Sequence, residues 1–499
     1  MTEPGPLLLG LDAGNTVIKA VLFDLTGRAL AASERVGTST RPAPGHVERD
    51  LDELWSNAAG VIRDCIERAG VSPGAIAAVR GAGHGNGLYL LDRAGGPLLA
   101  IQSLDSRAAA AADRLRAAGN GARLHGLCLQ EPWPSQTPTL LAWLKAEDPA
   151  RHAAAGTAFH CKDYVAWRLT GRRTADVSDM SGAGLVRFPD CSYDGDLLAA
   201  YSLGDARALL PHLLWPAEVA GRVTAAAAAM TGLAEGTPVA AGLFDVVANA
   251  LGAGVVEAGQ ASIIAGTWSI NQVVTRTPVV DPGIFMVSAF DAGRMVAIES
   301  SATSAANLEW YVRELVERGE RRSDSFAACS RRVAAVAPAA DDPFFHPFLY
   351  GSRQGADFRA GFYGLAGWHH EGHMLRALFE GVAFEHRRHV EVLRAAGIRF
   401  ERASLSGGGA RSVVWPQIFA DVLGIPVTVP VSAEAGALGA AIAAGVAAGA
   451  FADLAEAVRA MTAERAGFSP DPGMAALHDA RYRTYGMLTE AMRPLWREM

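Results

Sequence analysis

The chain has 499 residues, more than a single hydrophobic core usually serves, so we expect at least two domains. Half of its residues are hydrophobic and 19% are charged, which is the composition of an ordinary globular protein. The formal net charge of −7 argues against nucleic acid as the main partner.

The N-terminal stretch LLLGLDAGNTVIKAVLFD predicts a β-hairpin with a Gly14-Asn15-Thr16 turn. Such a turn can present backbone N–H groups and a hydroxyl to phosphate oxygens. Asp12, just before the turn, is placed to hold a magnesium ion through a water molecule. A plain hairpin turn explains the same pattern, so this motif alone does not decide the function.

A helix is predicted next, over LDELWSNAAGVIRDCIERAG, ending at Gly70. The segment AIAAVRGAGHGNGLYLLD that follows reads as a strand, a glycine-rich turn and a second strand. The G-x-G-x-G-x-G spacing of the turn differs from the dinucleotide-binding fingerprint. None of the three lysines in the sequence follows a glycine, which excludes a G-x-x-x-x-G-K-[ST] loop.

In the middle of the chain, one carboxylate stands in the uncharged run VAAGLFDVVANALGAG. A strand is predicted to end at this residue, Asp245, and a helix to begin there. The positive end of a helix dipole stabilises a carboxylate at its N-terminus. A helix cap and a catalytic base both account for Asp245 at this stage.

The second half opens with another apolar strand and turn, GQASIIAGTWSINQVV, in which Gly266 and Thr267 form the turn. Later, SLSGGGARSVVWPQIFADVLGIPV predicts a strand, the bare backbone of Gly407, Gly408 and Gly409, and a helix from near Arg411 to Leu423. We expect two related α/β domains, residues 1–250 and 251–499.

The cysteines and one uncharged segment indicate the cellular setting. The five cysteines include no C-x-x-C pair, which is typical of free thiols in a reducing cytoplasm. Residues 435–452 carry no charge over a length at which a membrane span is considered. Because they are mostly alanine and glycine, a buried helix pair is the favoured interpretation.

These motifs, in this order, resemble the FGGY carbohydrate kinases, of the actin/hexokinase/heat-shock ATPase superfamily. The resemblance rests on DAGNTVIK, GLFD, GTW, SGGGARS and EAGALGAA, with GHVERDLDELW, LDSRA, CKDYVAWRLTG and FHPFLYGSR between them. Among FGGY members, the L-xylulose (3-keto-L-gulonate) kinases look most similar. The resemblance implies two ribonuclease-H-like domains with an ATP cleft between them.

The resemblance also implies roles for particular residues. Asp245 would be the general base that takes the proton of the attacking hydroxyl. ATP and Mg²⁺ would be bound by Asp12, Gly14, Asn15, Thr16, Lys19, Gly266, Thr267, Gly407, Gly408, Gly409 and Ala410. The sugar would contact Gly85, Asn86, Asp105, Trp133, Phe244 and Asp245. Gly85 and Asn86 depart from the Met-His pair of xylulokinases, and Gly85 is expected to leave room for the sugar.

The resemblance therefore implies an ATP-dependent kinase acting on the terminal hydroxyl of a ketopentose, L-xylulose first of all. D-Xylulose, D-ribulose and erythritol are the alternatives with the same chemistry. An ATP-binding switch without sugar kinase activity is the alternative from another class. The expected partners are the sugar and ATP, with no nucleic acid or membrane, and a homodimer is common among relatives.

Overall fold

The computed structural model describes residues 5–318, 323–355 and 357–499. Helices and strands alternate over most of this length. The α-helices are α1 (Leu51–Ala69), α2 (Ala109–Leu115), α3 (Gly121–Cys128), α4 (Thr137–Glu147), α5 (Pro149–Ala154), α6 (Cys161–Thr170), α7 (Val177–Gly182), α8 (Gly195–Ala200), α9 (Ala225–Thr231), α10 (Asp245–Gly252), α11 (Ala306–Tyr311), α12 (Ser325–Ala334), α13 (Glu371–Ala395), α14 (Trp415–Leu423), α15 (Ala435–Ala447), α16 (Leu454–Met461) and α17 (Pro472–Glu498).

The strands follow the same alternation. They are β1 (Leu7–Ala13), β2 (Val17–Phe23), β3 (Ala29–Val36), β4 (Ile76–Gly83), β5 (Leu88–Asp92), β6 (Pro97–Ile101), β7 (Ala155–Phe159), β8 (Thr174–Asp176), β9 (His212–Leu214), β10 (Val219–Arg222), β11 (Pro238–Ala240), β12 (Leu243–Phe244), β13 (Ala261–Ala265), β14 (Ser269–Thr275), β15 (Met286–Asp291), β16 (Arg294–Ser301), β17 (Phe344–His346), β18 (Gly361–Tyr363), β19 (Ala403–Ser406), β20 (Val427–Pro430) and β21 (Glu464–Phe468).

Residue contacts divide the chain into two compact units. Unit 1 comprises Met1–Ala258, Val274–Ala297 and Glu434–Thr462, and unit 2 comprises Gly259–Val273, Ile298–Ala433 and Ala463–Met499. The units interleave along the chain because α15, late in the sequence, packs on α10 and β1. The assignment of sugar binding to residues 1–250 and of ATP binding to 251–499 stays a prediction.

The central sheet of unit 1 has the order β10-β11-β4-β1-β2-β3, with β12 alongside β4. Strand β1 is parallel to β4 and antiparallel to β2, so the predicted N-terminal hairpin is confirmed. Its apolar residues are buried on both faces, because α1 packs against β2 and β3 while α15 packs against β1 and β4. The predicted helix α1 is confirmed: Asp50 caps its start, and Gly70 ends it in a left-handed conformation with φ 62°.

In unit 2, the strands β14, β13, β19, β20 and β21 lie side by side in that order. Strand β13 is antiparallel to β14, as the predicted turn requires, and parallel to β19. Helices α13, α14 and α17 pack on one another.

Two predicted boundaries are corrected. The strand leading to Asp245 is broken between Ala240 and Leu243, where Gly242 lies against the side chain of Lys162. Helix α14 begins at Trp415, four residues after the predicted start. Gly408–Arg411 form a 3-10 helix, and Ser412 separates it from α14: its backbone is extended, and its hydroxyl accepts from the N–H groups of Val414 and Trp415.

The uncharged segment after residue 434 forms α15, which is buried over most of its length. Glycine is required where α15 meets α10, because a Cβ on Gly439 would collide with the carbonyl of Ala248. Within the described part of the chain, every helix is too short or too polar to span a bilayer.

Candidate active site

Three parallel strands of unit 1 end at the same edge of the sheet. Ala13 at the end of β1 and Phe244 at the end of β12 are both paired with Gly83 at the end of β4. The Gly14 turn, the 84–87 loop and Asp245 follow these strand ends directly. In open α/β sheets, ligands bind at the carboxyl ends of the strands. The topology therefore brings three sequence-predicted groups to one edge.

Asp245 is the first residue of α10, which confirms its predicted place at a helix N-terminus. Its side chain is partly exposed. Desolvation and the negative charges of Asp12 and Asp179 raise the pKa of Asp245 well above its usual value, although Lys162 opposes them. A carboxylate with a raised pKa is a stronger proton acceptor once it is ionised, which suits a general base.

Asp12 lies near the end of β1. Desolvation raises the pKa of Asp12 to about 6, while Lys19 lowers it and Glu434 raises it. The charge of Asp12 thus disfavours the ionised form of Asp245. A divalent cation would stabilise the ionised form of Asp12, and carboxylate oxygens with water are the ligands that Mg²⁺ prefers, so Asp12 fits the ion.

The turn after Asp12 is held by its neighbours. Gly14 donates its N–H to the carbonyl of Val17, so this N–H does not point outward as predicted. The Arg49 guanidinium donates to the Gly14 carbonyl at 3.1 Å, and the Asn15 amide donates to Ser103 Oγ at 2.9 Å. Only Thr16 at the tip is exposed. The turn is thus hydrogen-bonded to its neighbours, and its contact with phosphate stays a prediction.

Lys19, on β2 opposite Asp12, has two carboxylate partners. Its Nζ lies 2.8 Å from Glu34 Oε2 and 3.0 Å from Glu434 Oε2. A role for Lys19 in ATP binding stays a prediction.

The 84–87 loop carries an unusual asparagine. Asn86 is 2% exposed and has a φ of 64°, a left-handed conformation that asparagine tolerates better than most residues. Within the described residues, its Oδ1 has no hydrogen-bond partner. Beside it, His84 contacts the Tyr89 hydroxyl at 2.8 Å, and desolvation lowers the pKa of His84 to about 3, which keeps the ring neutral. Asn86 can therefore accept a hydrogen bond from a ligand hydroxyl.

Gly85 does not leave the open room that we expected. A Cβ on Gly85 would lie 2.8 Å from Phe244 Cδ2, closer still to Cε2, and 2.9 Å from Asp179 Oδ1. The aromatic ring of Phe244 thus fills the space that a side chain at position 85 would take. The expectation was wrong because it considered position 85 without the residue that packs on it.

A buried charge cluster lies behind this loop, and sequence reasoning missed it. Lys162 Nζ lies 2.9 Å from Asp163 Oδ1, 2.6 Å from Asp176 Oδ2 and 2.8 Å from Asp179 Oδ2, and His160 Nδ1 lies 3.0 Å from Asp179. The three carboxylates outweigh desolvation and hold the pKa of Lys162 well above its usual value. The sequence does contain a signal for this cluster. Lys162 is one of only three lysines in the chain, and three aspartates follow it within 17 positions, at 163, 176 and 179.

Two hydrogen bonds connect the charge cluster to the backbone next to the candidate base. Asp176 accepts a short hydrogen bond from the Ser178 hydroxyl, and Ser178 Oγ in turn accepts from the N–H of Phe244 at 3.1 Å. Because Phe244 directly precedes Asp245, the cluster fixes the backbone on which the candidate base stands.

Asp105 and Trp133, the other predicted sugar contacts, have protein partners. The Asp105 carboxylate accepts from Arg107 Nε at 2.9 Å and from the N–H of Val47 at 2.6 Å. The ring centroid of Trp133 lies 6.2 Å from that of Phe285. Contact of either residue with sugar stays a prediction.

In unit 2, the predicted turn after β13 is exposed at Thr267, and the Gly266 carbonyl accepts from the N–H of Ala305 at 2.8 Å. Gly407 has a φ of 84°, and a Cβ there would lie 2.8 Å from the Ala265 carbonyl oxygen. Only glycine fits this conformation and this close approach. The triple glycine thus brings the end of β19 directly against the end of β13.

A cavity of about 650 Å³ lies beside the triple glycine. Its volume is in the range of small-molecule sites. The walls combine apolar and polar side chains with bare backbone, and include Leu308, Phe326, Ser330, Gly408, Arg411 and Trp415. The cavity could hold a flat heterocycle such as adenine. Gly409 is buried against Ala265 and Trp415, and the Ala410 carbonyl accepts from Arg465 at 2.8 Å.

Comparison with known proteins decides the family. The model of the N-terminal domain of the FGGY family of carbohydrate kinases matches residues 7–252, and the model of its C-terminal domain matches residues 261–448. The chain belongs to the FGGY family of carbohydrate kinases. The kinase therefore uses ATP to phosphorylate a hydroxyl group of a small carbohydrate.

Relatives cover almost the whole kinase. The L-xylulose/3-keto-L-gulonate kinase of Escherichia coli (strain K12) is 35% identical over 489 residues, 97% of each chain. A probable L-xylulose kinase of Pasteurella multocida (strain Pm70) is 36% identical over 497 residues, 98% of this chain and 99% of the relative.

Solved structures agree on the fold. The xylulose kinase of Rhodospirillum rubrum has a TM-score of 0.88 at 29% identity, over 98% of this chain and 100% of the other. Plasmodium falciparum glycerol kinase with ADP has a TM-score of 0.85 at 17% identity, over 98% of this chain and 99% of the other. The kinase has the two-domain FGGY fold of the actin/hexokinase/heat-shock ATPase type, as predicted.

Proposed function

We propose that the kinase transfers the γ-phosphate of ATP to the terminal hydroxyl of L-xylulose, with Asp245 as the general base. The observation that carries this proposal is the position of Asp245 at the carboxyl edge of the sheet, with a pKa raised well above the usual value. The printed names of the two relatives at 35% and 36% identity support L-xylulose as the acceptor.

Asp245 would accept the proton of the sugar hydroxyl as the new P–O bond forms. The phosphoryl transition state is loose, so the hydroxyl stays protonated until late in the transfer. The products are the sugar phosphate and ADP, and the proton leaves on Asp245 before it passes to water. A raised pKa keeps the carboxylate basic enough to take this proton.

Asn86 would orient the acceptor, because its amide oxygen is buried without a described partner and can accept from a second sugar hydroxyl. Asp12 would hold Mg²⁺ through water, and the ion, when bound, neutralises charge on the phosphates. The 14–16 turn and the 266–267 turn are proposed phosphate contacts, each in its own unit. The cavity of unit 2 is the proposed adenosine site, with Gly408 on its wall.

The acceptor is proposed to be neutral. Asp12, Asp179 and Asp245 would repel the carboxylate of 3-keto-L-gulonate. Two of the cations are already paired with carboxylates, since Lys162 contacts three aspartates, and Arg107 contacts Asp105 and Glu48. We therefore expect a higher kcat/KM for L-xylulose than for 3-keto-L-gulonate.

A panel of acceptors tests the substrate. ADP release is measured with L-xylulose, D-xylulose, D-ribulose, erythritol and 3-keto-L-gulonate, and without any acceptor. L-Xylulose should give the highest kcat/KM. Another sugar at the top of the panel would replace L-xylulose but keep the chemistry. ADP release that no acceptor stimulates would instead favour the ATP-binding switch.

A further inference from the structure

We propose that Phe244 is a specificity-determining residue of the acceptor site, because two glycines form a slot that fixes its ring. This inference rests on the proposed function, since it concerns which acceptor the kinase prefers. Its basis is the close packing of the Phe244 ring against Gly85 and Gly182.

The ring lies between the two glycines, one at each edge. A Cβ on Gly85 would lie 2.8 Å from Phe244 Cδ2 and closer still to Cε2. A Cβ on Gly182 would lie 3.1 Å from Cε1 and 3.4 Å from Cδ1, on the opposite edge of the same ring. Phe244 is 6% exposed. A side chain at either glycine would therefore push the ring out of its position.

Gly182, on the far side of the slot, is held in place by packing and by a neighbouring hydrogen bond. Gly182 ends α7, and a Cβ there would also lie 3.3 Å from Met286 Sδ. The hydroxyl of Ser181, one residue earlier, accepts from the N–H of Ala289 at 2.8 Å. Helix α7 is thus hydrogen-bonded to β15. The ring cannot move toward Gly182 without disturbing this packing.

Gly85, on the near side of the slot, and the Phe244 ring lie next to the two residues that would bind and deprotonate the sugar. Gly85 directly precedes Asn86, and Phe244 directly precedes Asp245. The contact between Gly85 and the Phe244 ring therefore sets the separation between the amide that would orient the acceptor and the carboxylate that would deprotonate it. A misplacement of about 1 Å in a reacting geometry can cost about 100-fold in rate.

The size of residue 244 should then decide which acceptors fit. With glycine at 85, the aromatic ring of Phe244 occupies the space that a side chain of the 84–87 loop would fill. A smaller residue at 244 opens room beside Asp245, and a larger residue at 85 fills it again. Changes of one methylene in an apolar pocket alter discrimination by roughly 10- to 200-fold.

A volume-exchange series tests this inference: Gly85→Ala, Phe244→Leu and the double variant Gly85→Ala/Phe244→Leu. For each, kcat/KM is measured with L-xylulose, D-xylulose, D-ribulose and erythritol. We expect Gly85→Ala to lower kcat/KM with the preferred acceptor by about 30-fold or more. Phe244→Leu should change the ratio of kcat/KM between two acceptors by at least about 5-fold. The double variant should recover at least about 5-fold over Gly85→Ala but not the full wild-type value, because a Cβ at position 85 would still lie 2.9 Å from Asp179 Oδ1.

Gly126→Ala is the matched control, because a Cβ on this glycine of α3 would meet nothing within 4 Å. It should keep the wild-type kcat/KM and the wild-type ratios. If Gly85→Ala does not fold, the ratios of kcat/KM between acceptors in Phe244→Leu decide by themselves whether the inference holds. Unchanged ratios of kcat/KM in Phe244→Leu would overturn the inference while the kinase activity stands. A wild-type protein that phosphorylates none of the acceptors would overturn the proposed function and this inference with it.

Discussion

The Lys162 ammonium and the Asp176 carboxylate form an ion pair, with 2.6 Å between Nζ and Oδ2, in which neither side chain is exposed. Asp163 and Asp179 contact the same ammonium. A Cβ on Gly242 would lie 2.8 Å from the Cδ and Cε atoms of Lys162, so glycine makes room for its stem. The structure thus fits this lysine tightly behind the candidate active site.

Lys162→Met should destabilise the protein by about 3–5 kcal/mol, because it leaves buried carboxylates without their cation. Lys145→Met is the control, since Lys145 pairs with Asp205 at 2.6 Å on the surface and such pairs contribute about 0–1 kcal/mol. Unfolding of both variants by urea measures the difference. Equal losses of stability in the two variants would show that the cluster is not the structural centre that its burial indicates.

Asp245→Asn should raise the stability of the protein near pH 7. The folded-state pKa of Asp245 is raised above its usual value of 3.8, so the ionised carboxylate costs folding free energy as the pH rises through the folded-state pKa. The amide removes this cost. Below about pH 3.8 the carboxyl is protonated in both states, and the difference should vanish.

The measurement is Tm at pH 7 and at about pH 3 for the wild type and Asp245→Asn. Asp205→Asn provides a control of opposite sign. The pKa of Asp205 is lowered by its hydrogen bond to Lys145, so this variant should lose stability near pH 7. A Tm for Asp245→Asn below that of the wild type at pH 7 would contradict the electrostatic description of the site.

Asn86→Gly should raise the KM for the sugar by about 5-fold and leave the KM for ATP unchanged. Glycine adopts the φ of 64° without strain, so only the amide is lost, and one hydrogen bond contributes roughly 1 kcal/mol. Asn86→Ala should in addition lower Tm, because a Cβ is disfavoured at this φ by about 1–2 kcal/mol. Unchanged sugar kinetics in Asn86→Gly would remove Asn86 from the acceptor site.

Gly407→Ala should weaken ATP binding by about 10-fold or more. The added methyl would press on the Ala265 carbonyl and displace the triple-glycine turn from the cavity wall. Gly424→Ala is the matched control, since Gly424 also has a positive φ, 66°, but open space around its Cβ. Calorimetry with an ATP analogue compares the two variants. Equal affinities would show that the turn does not shape the nucleotide site.

Local patterns allowed much of the fold to be predicted. The alternation of apolar runs and turn residues predicted the β1–β2 and β13–β14 hairpins and the helix ended by Gly70, since each depends on neighbours in sequence. The buried cluster around Lys162 depends on α6 and α7 meeting in space, which no short pattern encodes. The contact of Phe244 with Gly85 was hidden for the same reason, because 159 residues separate them.

The most direct test of the central claim is the ADP released per second by wild type and Asp245→Asn at saturating ATP, Mg²⁺ and L-xylulose, with the Kd for ATP measured alongside. We predict sugar-dependent release by the wild type. In Asp245→Asn, kcat should fall by about 100-fold or more while the Kd for ATP changes little, because the lost group acts only in proton transfer. Full sugar-dependent activity in Asp245→Asn would contradict the assignment of Asp245 as the general base.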